Sequence, residues 1–335
     1  MEYRILGKTG LKISRLGFGG IPIQKIDADG TKVLMQTLLE AGVNFIDTAR
    51  GYTVSEEYLG QALEGIREQF VIATKSMART KDAMARDIDI SLRNLRTEYI
   101  DLYQIHNPTP EQLAQVISPG GALEALLEAR QAGKIGHIGV TAHSLEVFES
   151  ALSLPWVETV MFPYNIVENQ GEALMRRCTE QNVGFIDMKP LAGGAIEDAA
   201  LALRYIVSNP DVTVVIPGMA APEEAEQNIA AVCNNAPLSP EEQAKIQAIR
   251  DQLGTNFCRR CNYCQPCTAG ISIYSVFLMD GYLSRYGLED WARARYKAMD
   301  KKASDCIGCG VCETRCPYHL PIREMMKQAI AKFGE

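Results

Sequence analysis

Phe70-Val71-Ile72-Ala73-Thr74-Lys75, then the amphipathic stretch Ala83–Leu95, then Ile100-Asp101-Leu102-Tyr103-Gln104-Ile105-His106: this succession decides the fold. The two outer runs are short, largely apolar and β-prone, and between them apolar residues recur at the helical period. Parallel strands need such a helical crossover to join them. The same alternation extends in both directions. Strands are expected at Leu16–Gly19, Val43–Asp47, Phe70–Lys75, Ile100–His106, Ile135–Thr141, Thr159–Tyr164, Val183–Lys189 and Val212–Pro217. Helices are expected at Thr31–Glu40, Glu56–Glu64, Ala83–Leu95, Ala122–Gln131, Leu145–Leu152, Gly171–Gln181, Ala199–Val207 and Glu223–Val232. Eight strand–helix units predict an α/β fold of the (β/α)8 TIM-barrel kind. An open doubly wound sheet is the competing architecture. It is disfavoured because no G-x-G-x-x-G follows the first strand; Gly17-Phe18-Gly19-Gly20 runs into Ile21-Pro22 instead.

Upstream, Gly7-Lys8-Thr9-Gly10 between two short β-like runs predicts an N-terminal hairpin over Tyr3 to Ser14, placed to plug the barrel bottom. Downstream, Asn234-Asn235-Ala236-Pro237 marks a linker. A helix follows it, with Ser239 as N-cap, Pro240 in the first turn and Glu242 three residues after the cap. The expected domains are a barrel over 1–233, a linker and helix over 234–256, and a small α-helical module over 257–335.

That last module holds eight of the ten cysteines. Cys258, Cys261, Cys264 and Cys267 form C-x2-C-x2-C-x2-C; Cys306, Cys309, Cys312 and Cys316, with Pro317, form C-x2-C-x2-C-x3-C-P. The second run has the bacterial ferredoxin spacing, in which the fourth cysteine ligates the other of two clusters. Zinc usually takes two C-x-x-C pairs separated by a loop, and a disulfide framework needs a secreted chain. Two 4Fe–4S clusters are therefore expected. One would be held by Cys306, Cys309, Cys312 and Cys267, the other by Cys258, Cys261, Cys264 and Cys316. The first run departs from the pattern, with x2 before its last cysteine and Thr268 where proline is expected. One cluster plus a structural site is the alternative. Between the runs, the expected helix Ala292–Lys302 carries Arg293, Arg295, Lys297, Lys301 and Lys302. It reads as a solvated face, with a docking patch for an acidic electron carrier as the sharper alternative.

Composition sets outer bounds. The 335 residues carry 34 basic and 41 acidic side chains, a net charge of −7, which argues against nucleic acid as a general partner. No apolar run approaches the ~18–20 residues of a membrane helix. Met1-Glu2-Tyr3-Arg4 lacks the basic-then-apolar pattern of a signal peptide. Reduced thiols fit the cytoplasm.

In a barrel, chemistry sits at the C-terminal ends of the strands. Strand two ends in Asp47-Thr48-Ala49-Arg50-Gly51-Tyr52, strand three in Lys75 and strand four in His106. Singly, Asp47 reads as a helix cap, Tyr52 as loop packing, Lys75 as a surface residue and His106 as a satisfied core histidine. Four ionisable groups on three consecutive strand ends are harder to explain by structure alone. They supply an acid, a cation to tune it, an anion to fix the cation, and a polar donor.

The segments Ile46–Tyr52, Ala73–Lys75 and Asp101–His106, the opening Tyr3–Leu11, and Lys189-Pro190-Leu191-Ala192-Gly193-Gly194 together resemble the aldo/keto reductase superfamily. The cysteine module resembles the ferredoxin-like tail of one of its branches. The resemblance implies that Tyr52 protonates a substrate carbonyl oxygen while hydride arrives at carbon. Lys75 would lower the phenol's pKa, Asp47 would hold Lys75, and His106 would orient the carbonyl. It further implies a nicotinamide nucleotide, NAD(H) or NADP(H), contacted by Thr141, Asn165, Lys189, Leu191, Gly193, Gly218, Gln227 and Asn228. Departures from the family pattern are Thr141, Ala142 and Met161 at the carboxamide, Met188 at the ring-stacking position, and Gly218 and Glu224 at the 2′-phosphate site. A carboxylate at Glu224 repels a 2′-phosphate, so NADH is favoured.

Three functions fit these readings. The first is an oxidoreductase reducing a small carbonyl, or oxidising an alcohol, with nicotinamide and two clusters. The second is a reductase fed through its clusters by a ferredoxin- or flavodoxin-type carrier without nicotinamide. The third is a non-catalytic electron-transfer subunit.

Overall fold

Strands β3 (Phe18–Gly19) to β10 (Val214–Ile216) follow a short antiparallel hairpin of β1 (Tyr3–Ile5) and β2 (Lys12–Ser14). Between them come β4 (Phe45–Asp47), β5 (Val71–Ser76), β6 (Ile100–His106), β7 (Ile135–Thr141), β8 (Thr159–Pro163) and β9 (Gly184–Met188). In this computed structural model, which describes residues 1–253, 257–259, 263–316 and 318–334, β3 to β10 pair in sequence order, all parallel. Parallel bridges Leu16–Val215 and Gly19–Gly218 bring the last strand back to the first. The result is the expected (β/α)8 barrel. Cys261 and Pro317 lie outside the described residues.

The chain forms two compact units. The first comprises Met1–Asn165, Asn169–Pro190 and Asp198–Leu238; the second comprises Ile166–Glu168, Leu191–Glu197 and Ser239–Glu335. Helices of the first are α1 (Ala28–Glu40), α2 (Ser55–Ala62), α3 (Lys81–Asn94), α4 (Pro110–Ile117), α5 (Ala122–Gln131), α6 (Leu145–Leu152), α7 (Glu172–Glu180), α8 (Ala199–Ser208) and α9 (Pro222–Cys233). Helix α4 was not expected from apolar periodicity. Its start is set by a capping box, in which Gln112 N donates to Thr109 Oγ1 (3.2 Å) and Thr109 N to Gln112 Oε1 (3.0 Å).

The two-residue period of the strands sorts side chains into two cores. Outward-facing Ile46, Ile72, Tyr103, Ile105, Ile138, Val140, Val160, Phe162, Phe185 and Val215 pack under the helices. Inward-facing Phe45, Ala73, Leu102, Met161, Ile186, Val214 and Ile216 form a second cluster, joined by Leu6 and Ile13 from the hairpin region. The hairpin thus closes one end of the barrel. Gly7 permits this: at φ +55° its missing Cβ would stand 2.2 Å from Gly184 N. Two residues along from Phe45, Ala73 and Leu102 come Asp47, Lys75 and Gln104, so the same inward period turns polar near the strands' C-terminal ends.

In the second unit lie α10 (Pro240–Leu253), α11 (Ile273–Ser284), α12 (Glu289–Lys297), α13 (Val311–Arg315) and α14 (Ile322–Phe333). The Ser239–Glu242 capping box is present, at 2.8 and 3.2 Å. Arg250, Arg259 and Arg285 donate through Nε to the carbonyls of Ile166, Val167 and Gly193, each at 2.9 Å. Helix α12 starts earlier and ends earlier than expected. Arg293 on this helix pairs with Glu289 (2.9 Å), and Lys301, beyond its end, pairs with Asp305 (3.4 Å). No helix among the described residues is long and apolar enough to cross a membrane.

Candidate active site and cysteine cavities

The side chains of Asp47 and Lys75 meet on adjacent strands, with the residues only 3% and 1% exposed. Lys75 Nζ donates to Asp47 Oδ2 at 2.5 Å and to the Thr48 carbonyl at 2.8 Å. Burial pushes the Asp47 carboxyl up and the Lys75 ammonium down, and the attraction of each for the other offsets that cost. A second support comes from Gln104, the register partner of Lys75 on β6, whose Nε2 donates to Asp47 Oδ1 at 3.3 Å. Gln104 is a site residue that the strand motifs alone do not single out. A polar residue at an inward position of a buried strand was the available signal.

The loop after β4 turns back at Ala49–Tyr52, with Tyr52 N donating to Ala49 O at 3.0 Å. This carries the Tyr52 ring to Lys75, whose Nζ lies 4.8 Å from the ring centroid. On its other side the ring meets His106 edge-on, with centroids 6.1 Å apart and planes at 87°. Asp47, Tyr52, Lys75 and His106 therefore assemble as one group. The loop is anchored by Glu56, which is 1% exposed and accepts from Arg50 Nη1 (2.6 Å), Thr74 Oγ1 (2.8 Å) and Ser91 Oγ (2.8 Å). Beside the group, Arg79 Nη2 donates to the His106 carbonyl at 2.8 Å.

The expected nucleotide residues fall on several elements. Thr141 is the register partner of His106, and its Oγ1 accepts from Asn107 N at 2.9 Å, leaving the hydroxyl proton to donate. Asn165 is fully buried and donates to the Lys189 carbonyl at 3.0 Å. Lys189 is half-buried at φ +59°. Gly218 pairs with Gly19, and Pro22 Cγ would stand 2.6 Å from any Cβ there. On α9, Gln227 is exposed and Asn228 buried. Leu191 and Gly193 fall in the second unit, where Gly193 accepts from Arg285. Of the departures, Ala142 and Met161 are buried in apolar clusters. Glu224 is not loose: its Oε2 accepts from Ala220 N at 2.6 Å, which fixes a carboxylate on the loop after β10.

Two cavities of the second unit are lined by cysteines. Cys267 lines one cavity with Cys306, Cys309 and Cys312. Cys258, Cys264 and Cys316 line another. Gly308 and Gly310, at φ +69° and +77°, let the backbone between Cys306 and Cys312 turn tightly enough to do this. Among the described residues no three side chains converge as ligands of one ion would. A cuboidal cluster takes one thiolate at each of several irons, so its ligands stand farther apart.

Each part of the chain has counterparts among known proteins. The model of the aldo/keto reductase family matches residues 15–200 and 197–251, and that of a 4Fe-4S dicluster domain matches 257–321. The chain is 27% identical over 307 residues to L-galactose dehydrogenase of Arabidopsis thaliana, covering 76% of this chain and 95% of the relative. To the NADH-specific methylglyoxal reductase of Escherichia coli it is 24% identical over 325 residues, covering 74% and 98%. The solved holo form of aldo-keto reductase AKR11C1 from Bacillus halodurans superposes with a TM-score of 0.65 at 27% identity, covering 74% of this chain and 96% of that one. On its fold and on a family match spanning most of its length, the chain belongs to the aldo/keto reductase family.

Proposed function

We propose that this oxidoreductase reduces a small carbonyl compound, or oxidises the corresponding alcohol, with NADH as hydride donor, and that its 4Fe-4S domain holds two clusters for electron transfer. One observation carries the catalytic reading: Lys75, fixed by Asp47 and Thr48, stands over the Tyr52 ring with His106 at the ring's edge.

Bound nicotinamide would supply hydride to the carbonyl carbon. Tyr52 would then give its phenolic proton to the carbonyl oxygen, and the Lys75 ammonium would stabilise the phenolate left behind. Asp47 keeps Lys75 charged in a buried place where an unpaired ammonium would lose its proton. His106 would hold the carbonyl oxygen beside the phenol. Thr141 can donate to a carboxamide oxygen, and Asn228 on α9 offers a buried amide for the adenine end of a nucleotide. The named relatives, a dehydrogenase and an NADH-specific reductase, support both the reaction class and the nucleotide.

The donor set fits the clusters too: four thiols on one cavity, and two thiols from the first run plus Cys316 on the other. Hydride moves two electrons and a cluster one, so an electron carrier of the ferredoxin or flavodoxin type fits as a partner. The second reading, electrons delivered through the clusters without nicotinamide, draws on Met161, an apolar side chain buried in the inner core at a position that the resemblance assigns to the carboxamide.

Nucleotide titration separates these readings. NADH should bind more tightly than NADPH, because Glu224 is held on the loop that would receive a 2′-phosphate. Glu224→Arg should reverse or narrow the preference by about 1–3 kcal/mol, the worth of a charge-assisted hydrogen bond. Calorimetry of both proteins with both nucleotides reads the swing. If neither nucleotide binds the parent at millimolar concentration, the hydride reading fails.

A further inference from the structure

Three guanidiniums of the barrel unit each meet a carboxylate: Arg15 meets Glu2, Arg50 meets Glu56 and Arg67 meets Asp101. Arg79 does not. It is half-buried in the loop after β5, the strand that carries Lys75. Its hydrogen bonds go to neutral acceptors alone among the described residues: the His106 carbonyl (2.8 Å), the Ala78 carbonyl (3.4 Å) and Gln112 Oε1 (3.3 Å from both Nε and Nη2). A buried cation without an anion is costly, so one that persists needs a reason. Burial alone acts on it, lowering its pKa to about 10, with no neighbouring charge opposing or reinforcing the shift. It remains fully charged at neutral pH.

Its place supplies the reason. The guanidinium rests on the backbone of His106, whose ring meets Tyr52, and it is four residues from Lys75. Two nearby charges have their own partners: Lys75 has Asp47, and Glu56 has Arg50. Gln112 is held by the α4 capping box, so it fixes the guanidinium plane without neutralising it. We propose that Arg79 is a specificity-determining residue that recognises an anionic group, a carboxylate or phosphate, on the carbonyl substrate. An anion would give this guanidinium the charged partner it lacks among the described residues, and the planar fork of arginine suits two oxygens at once. This rests on the carbonyl-reductase reading for its meaning but not for its test.

The test is equilibrium binding to the full-length protein, which needs no turnover. Benzoate, benzamide and inorganic phosphate are titrated into the parent, Arg79→Gln and Arg79→Lys in the presence of NADH. Benzoate should bind the parent about tenfold or more better than benzamide, the span of one charged hydrogen bond. Arg79→Gln should erase that preference while benzamide affinity holds, and Arg79→Lys should keep part of it. Phosphate binding that is strong in the parent and lost in Arg79→Gln assigns the phosphate class; benzoate alone assigns the carboxylate class. Equal affinity of the parent for benzoate and benzamide, with no phosphate binding, overturns the proposal. So does an equal fall for both aromatic probes in Arg79→Gln, which would make Arg79 a tie for the His106 loop and nothing more. Should Arg79→Gln not fold, a benzoate preference absent from the parent or wholly lost in a folded Arg79→Lys overturns it equally. Failure of the parent to reduce any carbonyl would instead sink the reductase reading and leave this result standing.

Discussion

Tyr52→Phe should lower carbonyl turnover by roughly 10²–10⁴-fold, the range a positioned general acid contributes, while nucleotide affinity and iron content stay near those of the parent. The substitution removes one oxygen from a half-buried ring and leaves the Lys75 and His106 contacts to the ring in place. Lys75→Met should lose activity to a similar degree, but for a reason that is partly structural. It leaves Asp47 buried with Gln104 as its remaining neutral donor, and an unpaired buried charge costs about 3–5 kcal/mol. The two effects separate in a double variant. Lys75→Met with Asp47→Asn removes both charges, so it should regain most of the stability and none of the turnover. Melting curves and steady-state rates on the single and double variants read this directly. Turnover that survives Tyr52→Phe on every carbonyl tried would mean that the barrel uses other chemistry, and the cluster-fed or non-catalytic readings would gain.

The barrel was legible because its strands are written twice, once as apolar runs and once as the inward period that turns polar at Asp47, Lys75 and Gln104. Strand ends drifted by a residue or two, since Val43, Phe70 and Val183 are apolar whether or not they pair. Helix α4 escaped because it is short and announced by a cap rather than by a stripe. Helix α11 escaped because Ile273–Ser284 is mostly apolar and lacks the clear polar face that signals an amphipathic helix. At the site, the four ionisable groups were readable by position on the strands, whereas their mutual support was not. The Gln104 bond to Asp47 depends on strand register, and the Glu56 anchor depends on Thr74 and Ser91 arriving from two other elements. Arg79 was invisible for the opposite reason. What marks it is the lack of an anionic partner, and a missing partner has no sequence signature.

The cysteine module makes the other large prediction. An anaerobic preparation should hold about eight iron and eight sulfide per chain, as two cubanes require. Cys309→Ala should remove about half of the iron, because Cys309 lines only the cavity shared by Cys267, Cys306 and Cys312. The sharper variants are the two crossing cysteines. Cys267 belongs by sequence to the first run but lines the cavity of the second; Cys316 belongs to the second run but lines the cavity of Cys258 and Cys264. Cys267→Ser should therefore perturb the same EPR signal as Cys309→Ala, and Cys316→Ser should perturb the other. Were each run to hold its own cluster, Cys267→Ser would instead track with variants at Cys258 and Cys264. The crossing also predicts coupling to stability. One cluster would join segments about forty residues apart in sequence and the other segments about fifty apart, so losing either should loosen the whole module rather than one loop. Proteolysis of the module in Cys267→Ser and in Cys316→Ser should rise in both. Stoichiometric zinc with no iron in the anaerobic protein would end the cluster reading altogether.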